Sequence, residues 1–197
     1  MSFIPAGLWN VPNALSLLRL ALAPVLLVLA WQQEHSVFLA ALIISLVTDI
    51  ADGKIARWLG QTSELGARLD SWADFATYMS VPLCAHWLRP QLVISEAPWF
   101  WAVLASYALP VAVGFFRFGA LTSYHTRGAV IAAYLLGGAA VVLFADGPLW
   151  PLRVAVVVLV VAELEEIAIT LTLRRPVTNV RTLGHARRLR REQAVAP

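Results

Sequence analysis

Long apolar stretches alternate with short polar ones along the whole chain. Six apolar stretches can be delimited, at residues 14–32, 36–57, 67–88, 97–118, 128–146 and 149–173. Crossing about 30 Å of hydrocarbon as a helix takes roughly 20 residues, and each stretch is about that long. A segment in lipid must satisfy its own backbone, and no alternating strand pattern is present. The pattern therefore predicts an all-α integral membrane bundle of six transmembrane helices.

The segments between these stretches are short and polar, and we interpret those at 32–36, 89–98 and 145–151 as turns. Residues 2–12 resemble a short interfacial segment that places Trp9 at headgroup level. A signal peptide is the alternative for the first apolar stretch, but no basic residue precedes Arg19. We expect one membrane domain over residues 1–197, ending in a basic cytoplasmic tail at 174–197.

Composition excludes a soluble protein. The 197 residues are 59% hydrophobic and only 14% charged, with a mean hydropathy of +0.71. A soluble domain is nearer half apolar and a quarter charged. Cys84 is the one cysteine, so no intrachain disulfide forms.

The basic residues predict the topology. With both termini in the cytoplasm, thirteen of the fifteen Lys and Arg residues lie inside and only Arg89 and Arg153 lie outside. This bias follows the positive-inside rule and predicts a multi-pass protein of the cell (inner, cytoplasmic) membrane with a cytoplasmic active site. The tail is expected to lie on the anionic leaflet, and no nucleic-acid partner is expected.

Four aspartates stand out near the predicted cytoplasmic ends of the second and third stretches. Asp49 and Asp52 are three residues apart and Asp70 and Asp74 are four apart, so each pair shares a helix face. Two consecutive antiparallel helices can bring both pairs together. Four carboxylates repel one another unless protons or cations intervene. Oxygen ligands suit Mg²⁺ or Mn²⁺, and two such ions about 4 Å apart form a clamp for displacement at phosphorus.

The residues around the aspartates fit a diphosphate. Gly53 and Gly66 allow close approach to the backbone, although small residues in membrane helices also serve close packing. Arg57 can bind a phosphate through two nitrogens, and Ser63 offers a hydroxyl in the connecting loop.

The spacing D-x2-D-G-x2-A-R-x8-G-x3-D-x3-D over residues 49–74 resembles the signature of the CDP-alcohol phosphatidyltransferase family. The resemblance implies that the four aspartates bind metal bridging the CDP diphosphate, that Asp74 is also the base, and that an acceptor hydroxyl attacks the β-phosphorus and expels CMP. It further implies a homodimer and a CDP-alcohol site at Asp49, Asp52, Gly53, Arg57, Ser63, Gly66 and Asp70.

A second, weaker resemblance lies at residues 12–19, which are similar to the P-N-x-[LV]-[ST]-x-x-R start of the family's first helix. It implies that Asn13 lines the nucleotide pocket. The alternative is a Pro-Asn helix start with Arg19 as an orientation charge.

Fewer residues of the sequence indicate how the acceptor is bound. Arg117 and Arg127 are candidate ligands for a phosphorylated acceptor, although the lysine-rich segment of glycerol-phosphate members is absent. Glu163, Glu165 and Glu166 are unexpected in an apolar stretch. We hypothesise that one of them pairs with an arginine such as Arg117; helix–helix contact is the alternative.

Together these patterns predict a phospholipid-forming enzyme that takes CDP-diacylglycerol or a related CDP-alcohol as donor. Glycerol 3-phosphate is the first choice of acceptor and inositol phosphate the second. An intramembrane prenyltransferase is one alternative, but such enzymes normally have more spans and two Asp-rich motifs far apart in sequence, unlike the cluster at residues 49–74. A small cation transporter is the other, and it leaves Gly53, Arg57 and Gly66 without an obvious purpose.

Overall fold

A computed structural model of the chain describes residues 10–59, 64–119, 126–173, 177, 180 and 182–195. These residues are all-helical, without a strand. They form α1 (Val11–Trp31), α2 (His35–Leu59), α3 (Glu64–Leu88), α4 (Pro90–Ser95), α5 (Ala97–Phe118), α6 (Arg127–Phe144), α7 (Trp150–Thr172) and α8 (Leu183–Val195). The six predicted helices correspond to α1, α2, α3, α5, α6 and α7.

Two short helices were not predicted. The connection at 89–98, interpreted as a turn, contains α4, which begins at a proline where the missing N–H costs nothing. The basic tail contains α8. Most of the predicted interfacial segment lies outside the described residues.

Local sequence signals account for several helix ends. The Asn10 side chain caps α1 by accepting the N–H of Asn13 at 2.9 Å, and the Thr126 hydroxyl caps α6 by accepting the N–H of Ala129 at 3.1 Å. Gly119 ends α5 with a φ of 65°, a left-handed conformation that favours glycine.

The chain divides into two compact units, Met1–Ser95 and Glu96–Pro197. In the first unit α1 packs against both α2 and α3, around buried residues that include Leu26, Phe38 and Leu42. In the second unit α7 packs against α5, α6 and α8. Helix α1 and helix α7 are therefore the helices around which the units are built.

Four helices in the described part of the chain are long and apolar enough to cross a membrane: α1, the His35–Asp52 part of α2, α5 and α6. Helix α3 carries Asp70, Asp74 and Arg68, and α7 carries three glutamates and Arg153, so neither is as apolar. The chain is thus a helical membrane protein in which four of the described helices meet the length and apolarity of a membrane span.

Candidate active site

The first unit brings the aspartates of α2 and α3 together. One carboxylate oxygen from each of Asp49, Asp70 and Asp74 lies within 4.8 Å of the others. Asp52 is the most enclosed member of the quartet, with a side chain only 7% exposed. The Asp74 side chain is 57% exposed and is the most open of the four. The cluster is therefore closed at Asp52 and accessible at Asp74.

Arg19 of α1 lies among these carboxylates. Its Nη1 is 3.1 Å from Oδ1 of Asp74 and also contacts Asp49. Its Nη2 is 3.3 Å from Oδ2 of Asp52 and also contacts Asp70. The whole residue is 1% exposed. One buried guanidinium thus forms ion pairs with all four aspartates.

The charge balance of the cluster favours cations. In the ion pairs of the described residues, one guanidinium faces four carboxylates, which carry three more formal charges than it does when all four are ionised. Like charges this close destabilise one another unless a cation or a proton intervenes. Hard carboxylate oxygens within a few ångströms of one another are the ligands that Mg²⁺ and Mn²⁺ prefer. The residues present therefore fit a divalent metal.

A stripe of buried polar residues along α1 lies against the closed side of the cluster, where Asp52 is. Asn13, Ser16 and Arg19 are spaced three apart, share one helix face and are at most 3% exposed. The Ser16 hydroxyl lies 3.4 Å from Oδ2 of Asp52 and 3.2 Å from the carbonyl oxygen of Pro12. Asn13 thus lies less than two helical turns from Arg19, on the face of α1 that points to the carboxylates.

The other predicted donor-site residues are only partly described. Gly53 and Arg57 belong to α2, but the surroundings of Gly53 and the side chain of Arg57 lie outside the described structure. Gly66 lies in the first turn of α3 and is half-buried. Ser63 lies outside the described residues. The contribution of these four residues to donor binding stays a prediction.

The predicted acceptor residues belong to the second unit. Arg117 lies in the last turn of α5 and Arg127 begins α6, and both are exposed. Their role stays a prediction.

Two of the unexpected glutamates of α7 contact helix ends. Glu165 accepts the backbone N–H of Leu183 at 3.0 Å, which joins the start of α8 to α7. Glu166 accepts a hydrogen bond from the Thr126 hydroxyl at 3.4 Å, at the start of α6. Among the described residues neither forms an ion pair with Arg117, and the contacts observed are those of the helix–helix alternative.

The sequence patterns missed the position of Arg19 in the cluster. They offered two interpretations of this residue, an orientation charge and part of the helix-start motif. A useful signal was available, because Arg19 interrupts an apolar helix on the same face as Asn13 and Ser16. A long cationic side chain there is costly unless it meets anions.

Comparison with known proteins identifies the class. The sequence model of the CDP-alcohol phosphatidyltransferases matches residues 9–175, and the chain belongs to that family. The family predicted from residues 49–74 is thereby confirmed.

Individual relatives match over shorter lengths. The chain is 45% identical over 67 residues to a rat protein named cardiolipin synthase (CMP-forming), covering 34% of this chain and 22% of the relative. It is 44% identical over 75 residues to a putative cardiolipin synthase of Mycobacterium bovis, covering 38% of this chain and 36% of the relative. It is 25% identical over 127 residues to a CDP-diacylglycerol–serine O-phosphatidyltransferase of Mycobacterium bovis, covering 64% of this chain and 43% of the relative.

The chain thus matches between about a fifth and two fifths of the length of these curated relatives. No solved structure matches it.

Proposed function

We propose that this protein transfers a phosphatidyl group from a CDP-alcohol, CDP-diacylglycerol, to a hydroxyl acceptor and releases CMP, as a step in phospholipid biosynthesis. The observation that carries the proposal is the convergence of Asp49, Asp70 and Asp74 in a chain of this family. Asp52 extends the same cluster through its ion pair with Arg19.

The four aspartates would hold Mg²⁺ or Mn²⁺, and we propose two ions. When bound, such ions neutralise the charge of a diphosphate and favour displacement at phosphorus. The chain's own residues position the donor and handle the proton. Asp74, the most open carboxylate, takes the proton from the acceptor hydroxyl. The hydroxyl oxygen then bonds to the β-phosphorus, the bond from that phosphorus to the bridging oxygen breaks, and CMP leaves with the bridging oxygen.

Donor binding is proposed to combine α1 and the ends of α2 and α3. Asn13 would contact the nucleotide, and its place on the face of α1 that carries Ser16 and Arg19 supports this role. Gly53, Arg57, Ser63 and Gly66 would surround the diphosphate, as the family motif implies.

For the acceptor we propose a glycerol that carries a phosphate. Glycerol 3-phosphate has this chemistry, and so does a phospholipid with a glycerol headgroup. Relatives named cardiolipin synthase and putative cardiolipin synthase are among those matched, and cardiolipin contains two phosphatidyl groups joined through one glycerol. Arg117 and Arg127 would bind the acceptor phosphate. Inositol phosphate is the second candidate.

We further propose that α3 and α7 complete six membrane spans in the cell inner membrane, with both termini and the active site in the cytoplasm and a homodimer as the assembly. The length of α3 and α7, 25 and 23 residues, supports the span count. The distribution of basic residues supports the orientation.

The decisive experiment measures CMP release from CDP-diacylglycerol by the purified protein in lipid nanodiscs. Parallel reactions contain glycerol 3-phosphate, phosphatidylglycerol, inositol phosphate, serine or no acceptor, each with Mn²⁺, Mg²⁺ or EDTA. We expect metal-dependent CMP release with one of the two glycerol compounds, and the product lipid tells which.

Asp70→Asn should remove this activity, because it deletes a charge from the metal cluster. The proposal is wrong if the wild type releases no CMP with any acceptor. Turnover of a prenyl diphosphate, or cation flux into vesicles, would then point to the alternatives.

A further inference from the structure

The guanidinium of Arg19 occupies the space where the carboxylate oxygens converge. Arg19 contacts Oδ1 of Asp49, Asp70 and Asp74, the same three residues whose oxygens lie within 4.8 Å of one another. A bound Mg²⁺ lies about 2.0–2.1 Å from each ligand oxygen. An ion held by these oxygens and the present contacts of Arg19 therefore compete for the same atoms.

The surroundings of Arg19 limit where its charge can go. The side chain is 2% exposed, and its Nε is buried without a hydrogen-bond partner among the described residues. A buried charge without partners is strongly unfavourable. Arg19 therefore stays near the cluster, and a cation that enters is repelled by the positive charge of its guanidinium.

The same charge stabilises the cluster before any ion arrives. Four carboxylates this close repel one another when they are ionised, and a positive charge among them lowers that repulsion. With Arg19, each carboxylate has a cationic partner. The arginine thus favours the metal-free arrangement and disfavours the metal-bound one, unless a negatively charged diphosphate enters with the ions.

We propose that Arg19 is an internal counter-ion: it holds the four aspartates together in the metal-free enzyme, gives up carboxylate contacts as divalent ions bind, and so weakens ion binding until an anionic diphosphate is present. This inference rests on the proposed function. In this role Arg19 is a positioning residue, acting on the ions and carboxylates rather than on the reacting atoms.

The test compares Mn²⁺ affinity of the wild type and Arg19→Gln by electron paramagnetic resonance of free Mn²⁺, without substrate. We expect Arg19→Gln to bind Mn²⁺ at least tenfold more tightly, and its unfolding temperature in EDTA to fall and be restored by Mn²⁺. Arg68→Gln is the matched control. It removes the same charge from an exposed position of α3 and should change affinity much less.

A CDP-diacylglycerol analogue with a non-cleavable diphosphate adds a second readout. It should tighten Mn²⁺ binding strongly in the wild type and less in Arg19→Gln. Equal or weaker Mn²⁺ affinity in a folded Arg19→Gln variant would overturn the inference. If that variant does not fold, wild-type structures with and without Mn²⁺ decide: Arg19 retaining all four carboxylate contacts beside bound ions also overturns it.

The result that would refute the proposed function differs from the result that would refute the role of Arg19. If wild type and Asp70→Asn bind Mn²⁺ equally poorly, with or without the donor analogue, the aspartates are not a metal site and the proposed mechanism is wrong. If Asp70→Asn loses a binding that the wild type has, while Arg19→Gln matches the wild type, only the role of Arg19 is wrong.

Discussion

At the scale of single residues, the four aspartates differ in their surroundings although they look equivalent in the sequence. Asp52 is enclosed by Arg19 and Ser16, whereas Asp74 is more than half exposed. An enclosed carboxylate suits a fixed ligand, and an open one can meet an acceptor that arrives from outside. The separate role that the family motif implies for Asp74 stays a prediction, and the open position of this side chain makes it testable.

Replacing Asp74 with asparagine tests that role. The amide is of similar size but cannot take a proton, so we expect kcat for CMP release to fall at least about 100-fold, the usual contribution of a general base. Binding of the non-cleavable donor analogue should change much less than in Asp52→Asn. A kcat within a few-fold of wild type would contradict the assignment of Asp74 as the base.

At the scale of helices, the apolar pattern located the long elements closely. The stretch predicted at 97–118 is helix Ala97–Phe118, and that at 14–32 is helix Val11–Trp31. The two unpredicted helices have weaker signals. Helix α4 has six residues, and the first nine residues of α8 contain few apolar residues, Leu183, Ala186 and Leu189, among several arginines. These three residues pack on a core that includes Ile169 of α7, a neighbour that the pattern of the tail does not reveal.

Another contact between helices has a pH dependence that can be measured. Glu96, just before α5, accepts two hydrogen bonds from Arg153 of α7, at 2.7 Å from Nη2 and 3.1 Å from Nε. The hydrogen bonds from Arg153 lower the pKa of Glu96 below its usual 4.5, and burial only partly opposes this. The ion pair therefore stabilises the fold above about pH 4.5, and this stabilisation is lost as the pH falls through the lowered pKa.

We expect the unfolding temperature of the wild type to fall more steeply below pH 5 than that of Glu96→Gln, which lacks the charge at every pH. The effect should be modest, because the Arg153 side chain is about half exposed and water screens its charge. Identical pH profiles, measured by thermal unfolding in detergent, would show that the ion pair adds no pH-dependent stability.

At the scale of the whole molecule, the number of spans and the orientation can be tested together. Cys84 is buried, so Cys84→Ala provides a background for single cysteines at the exposed positions Ser95 and His185. Three spans before Ser95 and three after it predict that a membrane-impermeant maleimide labels Ser95→Cys from outside the cell. It should label His185→Cys only in inverted vesicles. Labelling of both positions from the same side would contradict six spans.

The class of protein, the long helices and the four carboxylates near two helix ends could all be predicted from the amino-acid sequence. These features follow from local composition, from hydrophobic length and from residue spacing, which a helix converts directly into shared faces. The family motif lies within residues 49–74 and needs no tertiary information to be recognised.

Two features could not be predicted before the fold was known. Helix α1 packs against both α2 and α3 and places Arg19 among the aspartates. Glu165 and Glu166 of α7 accept hydrogen bonds from the starts of α8 and α6. The physical reason is the same in both cases. A helix sequence shows which face carries a charge, but the partner of that charge is fixed by the packing of helices far apart along the chain.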